Sequence, residues 1–356
     1  MSVRSVVAVT FLFAWACLVP MAQAKQARLP KPGEPWRALH LLKFQTDDDI
    51  ALLEGQFPAL AARGINVLVL EVDYSFEFRS HPELRYGPKP ITRQGARRLV
   101  KACKRNGIHL IPEFQSFGHQ SWEGETYPLL TRYPELDLTP GAFPGNKGIY
   151  CREWDPMNPR VNQIVFALVD ELIDAFQAKA FHVGMDEVFL IGNESSPATR
   201  GTDPAEVYAK VVNDLHGHIV KKRGCTMLMW GDRLIDGARI DYGGEWEASL
   251  NGTAGAIDRI PKDVVICDWH YEPRGSYLSV PMFLEKGFRV LPTSWKNVEA
   301  SQAFIKYSLG LGNPRVLGHL FTRWSADREG LADWPPLVES GPLLRAGPTG
   351  RASRTN

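Results

Sequence analysis

The chain has 356 residues, with 41 Lys and Arg against 40 Asp and Glu and a formal net charge of +1. So small a net charge excludes nucleic acid or an anionic membrane as the main partner. The length allows one large domain or two ordinary ones.

The first residues read as an export signal, residues 1–24. Arg4 precedes an apolar stretch from Val6 to Val19, and Ala22-Gln23-Ala24 supplies a cleavage site. A membrane anchor is the alternative, but the apolar stretch is shorter than the ~20 residues a spanning helix needs. A lipoprotein reading of Cys17 is disfavoured by Trp15 close by. The mature chain is thus expected to be exported, to the periplasm or the medium, without membrane insertion. Cys103, Cys151, Cys225 and Cys267 remain in it, without the close spacing of a zinc site. An oxidising compartment permits a disulfide and leaves all three pairings open.

Apolar runs recur along the mature chain at Ala38–Phe44, Asn66–Val72, Ile108–Phe114, Ala180–Met185, Thr226–Trp230, Val264–Asp268, Arg289–Pro292 and Val316–Phe321. The segments between them mostly read as helices. Eight strands alternating with helices predict an α/β fold, a single (β/α)8 TIM-type barrel over residues 25–340. A doubly wound open sheet is the runner-up, and it would ordinarily carry a Gly-rich turn after the first strand, where this chain has Lys43-Phe44-Gln45-Thr46.

Helix punctuation supports the alternation. Thr46 caps a helix whose first turn holds Asp47, Asp48 and Asp49, and Gly64 closes it. This accounts for the acidic triplet without a metal. Thr92 opens the next helix and Gly107 ends it, while Asp203-Pro204 opens one that reaches Lys222 and Gly224. The connection from Gln115 to about Pro159 is long and rich in Pro, Gly and aromatic residues, as a pocket wall would be. Residues 341–356, rich in Gly, Arg, Ser and Thr, are expected to form a disordered tail. There is no linker and no internal repeat beyond the βα alternation.

The strand ends carry the chemistry. The fourth reads Phe181-His182-Val183-Gly184-Met185-Asp186-Glu187, setting two adjacent carboxylates at the carboxyl end of a buried strand. In a barrel that end faces the cleft, and two neighbouring carboxyls there can be held at different pKa values. Neighbours on a strand point to opposite sides, so the pair can serve one substrate only if the backbone turns there. Glu113-Phe114-Gln115-Ser116-Phe117-Gly118-His119 follows the third strand. Gly118 permits a turn that would aim His119 into the mouth, the bland alternative being a histidine bonded within its loop. Trp230-Gly231-Asp232, Asp268-Trp269-His270-Tyr271, Ser294-Trp295-Lys296 and Thr322-Arg323-Trp324 follow the later strands. Any one of these aromatics could be packing. Four successive strand ends with tryptophan suit the flat faces of sugar rings.

This constellation resembles family 20 glycoside hydrolases, the β-N-acetylhexosaminidase group, whose signature at the fourth strand is His-x-Gly-Gly-Asp-Glu. His182 to Glu187 match all of it but the second glycine, where Met185 stands. The hexosaminidase D branch is the most similar, with an aromatic just beyond the acids, as Phe189 is here. Pro112-Glu113 through Gly118-His119, Trp230-x-Asp232 and Trp324 match further family segments in order, over roughly Arg37 to Trp334.

The resemblance implies substrate-assisted retaining catalysis, in which the sugar's own 2-acetamido oxygen is the nucleophile. Glu187 would be the general acid and base and Asp186 would orient the acetamido group. Tyr271 would hold the acetamido carbonyl, and Trp230, Trp295 and Trp324 would enclose its methyl group and the ring. His119 and His182 would support the site and Asp232 would belong to the substrate-binding set. The implied partner is a β-N-acetylhexosaminide oligosaccharide or glycoconjugate, with no cofactor. Many relatives have an arginine at the first strand end, absent here, and Glu71 and Asp73 are expected to hold the sugar hydroxyls instead. Met185 is expected to narrow the pocket. Two competing readings are a sugar-binding barrel without activity and a metal-dependent hydrolase using His119, His182, Asp186, Glu187 or His270, the latter without any close ligand pair in its support.

Overall fold

A computed structural model describes residues 29–345 of the chain. All eight expected strands are present: β1 (Trp36–Leu41), β2 (Val67–Glu71), β3 (His109–Ser116), β4 (Ala180–Gly184), β5 (Thr226–Trp230), β6 (Val265–Trp269), β7 (Arg289–Ser294) and β8 (Gly318–Arg323). Each pairs in parallel with its sequence neighbours, and β1 pairs with β8 to close a barrel, which excludes the open sheet.

Helices cover the outside, among them α1 (Asp47–Ala62), α2 (Arg93–Arg105), the short α3 (Pro128–Arg132), α4 (Pro159–Ala175), α5 (Pro204–His216), α6 (Ser279–Glu285), α7 (Val298–Gly310) and α8 (Pro335–Ser340). Their starts follow local chemistry. At α1 the Thr46 hydroxyl accepts the Asp49 N–H at 3.1 Å while the Asp49 carboxylate accepts the Thr46 N–H at 3.0 Å, a reciprocal cap. Thr92 and Asp203 cap α2 and α5 in the simpler way. The helix expected to reach Lys222 does so by widening after His216 into a π-type segment, Gly217–Lys222.

Three expectations are adjusted. The first strand ends at Leu41 rather than Phe44, because Lys43 takes a left-handed φ of 67° as the chain swings toward α1. Between β5 and β6 the chain forms only two 3-10 turns, Asp232–Leu234 and Thr253–Asp258, in place of an α-helix. Ordered structure also continues past Ser340. Gly341–Leu344 form a 3-10 turn with Leu344 buried, and the Arg345 guanidinium donates to the Ala62 and Arg63 carbonyls. The expected export signal, residues 1–24, and positions 346–356 of the expected tail lie outside the described residues.

Two apolar layers hold the barrel. The outer, larger one lies between strands and helices. The inner one fills the barrel with Ala38, Val67, Val69, Ile111, Leu228 and Leu320 among others, as a closed eight-stranded barrel requires. The inner layer turns polar toward the mouth. Cys103, Cys151, Cys225 and Cys267 are all buried and unpaired. Among the described residues no helix is long and apolar enough to cross a membrane.

Candidate active site

The barrel floor beneath the mouth is built on Glu113 of β3, which is wholly buried. Its carboxylate lies 2.9 Å from His40 Nε2 and 3.0 Å from His182 Nδ1, and it accepts the Trp230 indole N–H at 3.2 Å. Burial pushes its pKa up, but the charges of His182 and His40 and their hydrogen bonds outweigh burial and hold Glu113 well below the usual carboxylate range. His182 and Trp230 are therefore buried supports, packed ring to ring at 4.6 Å.

Above this floor the chain leaves β4 through an unusual turn. Gly184, Met185 and Glu187 all have left-handed φ values, 65°, 79° and 51°. This removes the strand alternation that would send Asp186 and Glu187 apart. Both reach the same nitrogen, His119 Nε2, at 3.3 Å from Asp186 and 3.0 Å from Glu187. Neighbouring segments hold the turn. The Tyr208 hydroxyl donates to the Met185 carbonyl at 2.7 Å, Asp232 accepts the Glu187 N–H at 3.0 Å, and Glu153 accepts the N–H groups of Phe189 and Leu190 at 2.5 and 2.7 Å.

The two acids are embedded differently. Asp186 is buried and also accepts the Gln115 amide at 2.9 Å. Burial raises its pKa, yet the His119 charge and the hydrogen bonds from His119 and Gln115 bring it below the ordinary value, so it stays an anion. Burial would lower the His119 pKa, but the Asp186 charge foremost, with Cys151 and the hydrogen bonds to both acids, raises it well above the usual range. His119 is thus a cation held within ion-pair distance of both acids. Gly118 has a different role from the one expected. The left-handed residues are Phe117 and His119, whereas a Cβ on Gly118 would sit 2.9 Å from the Asp186 carbonyl, so glycine is needed for the close approach of two loops.

Met185 does not narrow the pocket. It is fully buried in the outer layer between strands and helices. The turn sends the backbone toward the mouth and the Met185 side chain away from it. Asp232 is 1% exposed, and its oxygens receive the Glu187 N–H, the Arg233 Nε at 2.7 Å and the Trp269 indole at 3.2 Å. Burial, opposed by Arg233 and reinforced by Asp186, pushes its pKa up to about 6. Its surroundings make it a positioning group for Glu187 rather than a substrate contact.

Tyr271, Trp295 and Trp324 come together on one wall with Trp230. The Trp324 indole donates to the Tyr271 hydroxyl oxygen at 2.6 Å, and ring centroids lie 5.6 Å apart for Tyr271 and Trp295 and 5.8 Å apart for Trp230 and Trp324. Trp269 completes this wall, 4.9 Å from Tyr271. Across the acid pair, Trp122, Tyr150, Phe189 and Trp246 form an aromatic ledge, with Trp122 and Trp246 42% and 47% exposed. Glu71 and Asp73 lie on a third side, where Asp73 accepts the Gln115 N–H at 2.7 Å. Burial first, tempered by that N–H and reinforced by Glu113, pushes Asp73 up to about 7, and burial with the charges of Asp73 and Glu113 raises Glu71 well above its ordinary value.

The structure thus unites the sequence-derived residues around one mouth and adds Glu113, His40, Gln115, Glu153 and Trp269. Of these, only Glu113, Gln115 and Trp269 stand in the strand-end segments where the other candidates were found. Among the described residues two groups bring ligand-type atoms within 4.8 Å of one another: His40, Glu71 and Glu113, and His119, Asp186 and Glu187. In each, the histidine lies within 3.0 Å of one of the carboxylates, an ion-pair geometry that accounts for the grouping without a metal.

Comparison with known proteins agrees with this geometry. Residues 70–296 match the description "Glycosyl hydrolase family 20, catalytic domain". Lacto-N-biosidase of Bifidobacterium bifidum is 27% identical over 191 residues, half of this chain but only 14% of that protein. Hexosaminidase D of Bos taurus is 23% identical over 262 residues, covering 71% of this chain and 68% of that one. Among solved structures, the exo-β-N-acetylglucosaminidase from Vibrio harveyi in complex with N-acetylglucosamine superposes with a TM-score of 0.61 at 16% identity, over 88% of this chain and 55% of that one. The Flavobacterium johnsoniae chitobiase does so with a TM-score of 0.58 at 20% identity, over 87% and 48%. At such identities the superpositions establish the shared fold. The matched segment runs from the end of β2 past Trp295 and contains both acids, and the chain belongs to glycosyl hydrolase family 20.

Proposed function

We propose that this protein is an exported hydrolase that releases β-linked N-acetylhexosamine, with the substrate's 2-acetamido group as nucleophile. The observation that carries this reading is the turn after β4, which brings Asp186 and Glu187 to one side, 3.3 and 3.0 Å from the same His119 nitrogen. Two acids so close cannot stand on opposite faces of a sugar ring, as acid and nucleophile of a two-carboxylate mechanism must. They can serve different atoms of one face.

In this reading Asp186, kept ionised by His119 and Gln115, accepts the acetamido N–H and stabilises the positive charge that develops as the acetamido oxygen closes on the anomeric carbon. Glu187 protonates the leaving oxygen and then takes the proton from the water that opens the oxazolinium intermediate. The Tyr271 oxygen accepts the Trp324 N–H, which leaves its own hydrogen free for the acetamido carbonyl. Trp269, Trp295 and Trp324 enclose the methyl group, with Trp230 packed behind Trp324. Glu71 and Asp73, whose raised pKa values let them donate as well as accept, hold ring hydroxyls. Export rests on Arg4, the apolar run to Val19 and Ala22-Gln23-Ala24, and N-terminal sequencing of the secreted protein tests it.

The test of the reaction is nitrophenol release from the β-N-acetylglucosaminide, the β-N-acetylgalactosaminide and the plain β-glucoside. Turnover of an acetamido sugar but not of the glucoside supports substrate assistance. Cleavage of the glucoside refutes it, and binding without turnover of any of the three favours a sugar-binding barrel. Glu187→Gln should abolish turnover and leave the thermal melt intact.

A further inference from the structure

Helix α2 carries Arg93, Arg97, Arg98, Lys101, Lys104 and Arg105 and no acid in its thirteen residues, within a chain of formal net charge +1. This arrangement works against the helix itself. Arg93, Arg97, Lys101 and Arg105 are spaced four apart, which stacks like charges along one face and destabilises the helix at each pair. Arg93 also stands in the first turn, where the helix dipole favours an acid, whereas α1 opens on three aspartates. Charge set against local stability calls for a compensating anion.

The cations are also gathered into a concave surface. Arg79, from the loop between β2 and α2, joins Arg93, Arg97, Arg98 and Lys101 in lining a groove of about 630 Å³, whose one lining carboxylate, Glu77, accepts the Arg93 N–H at 2.7 Å. Arg93 pairs with Glu171, and Arg98 with Glu54 at 3.3 Å. Among the described residues Arg79, Arg97 and Lys101 have no ion-pair partner, and Arg97 and Lys101 are exposed. Glu171 also accepts the N–H groups of Arg79 and Ser80 at 2.9 and 2.7 Å, which fixes the loop wall in place before any ligand arrives. No apolar or aromatic side chain lines the groove, so it offers neither the wedge of a membrane-inserting face nor the stacking platform of a single-stranded nucleic-acid site. The loop that bears Arg79 begins at the end of β2, beside Glu71 and Asp73 of the mouth.

We propose that this groove binds an anionic polysaccharide, one whose sugars bear carboxylate or sulfate groups, and holds a polymeric substrate along the barrel flank. The choice of a glycan as the anion rests on the sugar-cleaving reading of the mouth; the anion binding does not. The probes are dextran sulfate and polygalacturonate, with neutral dextran as control, in affinity electrophoresis of the mature protein. Both polyanions should retard the protein at low salt and neutral dextran should not, with retardation fading as salt screens the charges. The Arg79→Ala, Arg97→Ala, Lys101→Ala triple variant, which adds two good helix formers, should bind at least about tenfold more weakly. Its melt and its nitrophenyl-glycoside turnover should match wild type. Absence of retardation, or a triple variant that binds as wild type does, overturns the proposal. Equal and equally sensitive binding to single-stranded DNA or phosphatidylglycerol vesicles overturns its assignment to glycans. Because the small glycosides do not reach the groove, a wild-type protein that fails to turn them over counts against the proposed reaction, and a wild-type protein that turns them over but is not retarded by either polyanion counts against this inference alone.

Discussion

Gly184→Ala tests how the turn after β4 sets up the site. A Cβ at residue 184 would lie 1.4 Å from Gln115 Oε1, 2.6 Å from its Cδ and 3.1 Å from its Cα. The Gln115 side chain must therefore swing, which takes its amide off Asp186, where it now donates at 2.9 Å. A hydrogen bond to a charged group contributes about 1.5–3 kcal/mol. The left-handed φ of 65° costs alanine a further ~1–2 kcal/mol. Together these predict a loss of roughly 3–5 kcal/mol of stability, read as a lower melting temperature by circular dichroism. If the Gln115 bond is fully expressed in the transition state, kcat falls about 10–100-fold on the nitrophenyl N-acetylglucosaminide, since each ~1.4 kcal/mol is tenfold. Gln115→Ala removes the bond without backbone strain and should reproduce the kinetic loss with a smaller drop in melting temperature. The reasoning fails if Gln115→Ala turns over at the wild-type rate, or if Gly184→Ala loses stability alone.

Further outcomes follow from the same geometry. Met185→Gly relieves a left-handed φ of 79° worth ~1–2 kcal/mol but removes a buried side chain worth ~2–5, so stability should fall by up to about 4 kcal/mol. Its KM and sugar preference should stay at wild-type values, and a shift in either would place the side chain in the pocket after all. His270 is buried against Asp268 and Glu247, with Arg274 beyond. Burial would lower its pKa, but the Asp268 charge and the hydrogen bonds to both acids raise it to about 9. A raised pKa favours the protonated folded form, so this stability is full below 6.5 and is lost as pH rises through 9, about 3 kcal/mol in all. Urea unfolding from pH 6 to 9 should show that decline in wild type and a flatter profile in His270→Gln, and equal slopes would sink the assignment. Activity should survive a strong chelator, because the His119 nitrogen that both acids face is protonated; loss restored by a divalent metal would reverse that reading.

The barrel was legible because each strand is a short apolar run and three of the long helices, α1, α2 and α5, announce their starts at Thr46, Thr92 and Asp203. The stretch between β5 and β6 was not. Its helix is replaced by an irregular loop tied by Arg233, whose guanidinium donates to the carbonyls of Glu245, Trp246 and Ala248, and no local pattern writes that out. In the site, the residue types at strand ends were readable, but the roles of Asp232 and Gly118 depended on partners far along the chain. Asp232 meets Glu187 across 45 residues and Gln115 meets Asp186 across 71. The left-handed Met185 and Glu187 went unread because neither residue type advertises that conformation.

The buried carboxylate of Glu113 also bears on how the chain reaches this state. Its partners come from β1, β4 and β5, and one of them, His40, is hydrogen-bonded at 2.8 Å to Thr322 on β8, 282 residues away. Until the last strand docks against the first, a partly assembled barrel shelters an acid whose counter-charge is not held in place, and such contacts between distant residues form slowly. Assembly should therefore be all-or-none around this ring. A chain cut before β8 would lose more than one strand: it would lose the event that makes the rest of the interior tolerable.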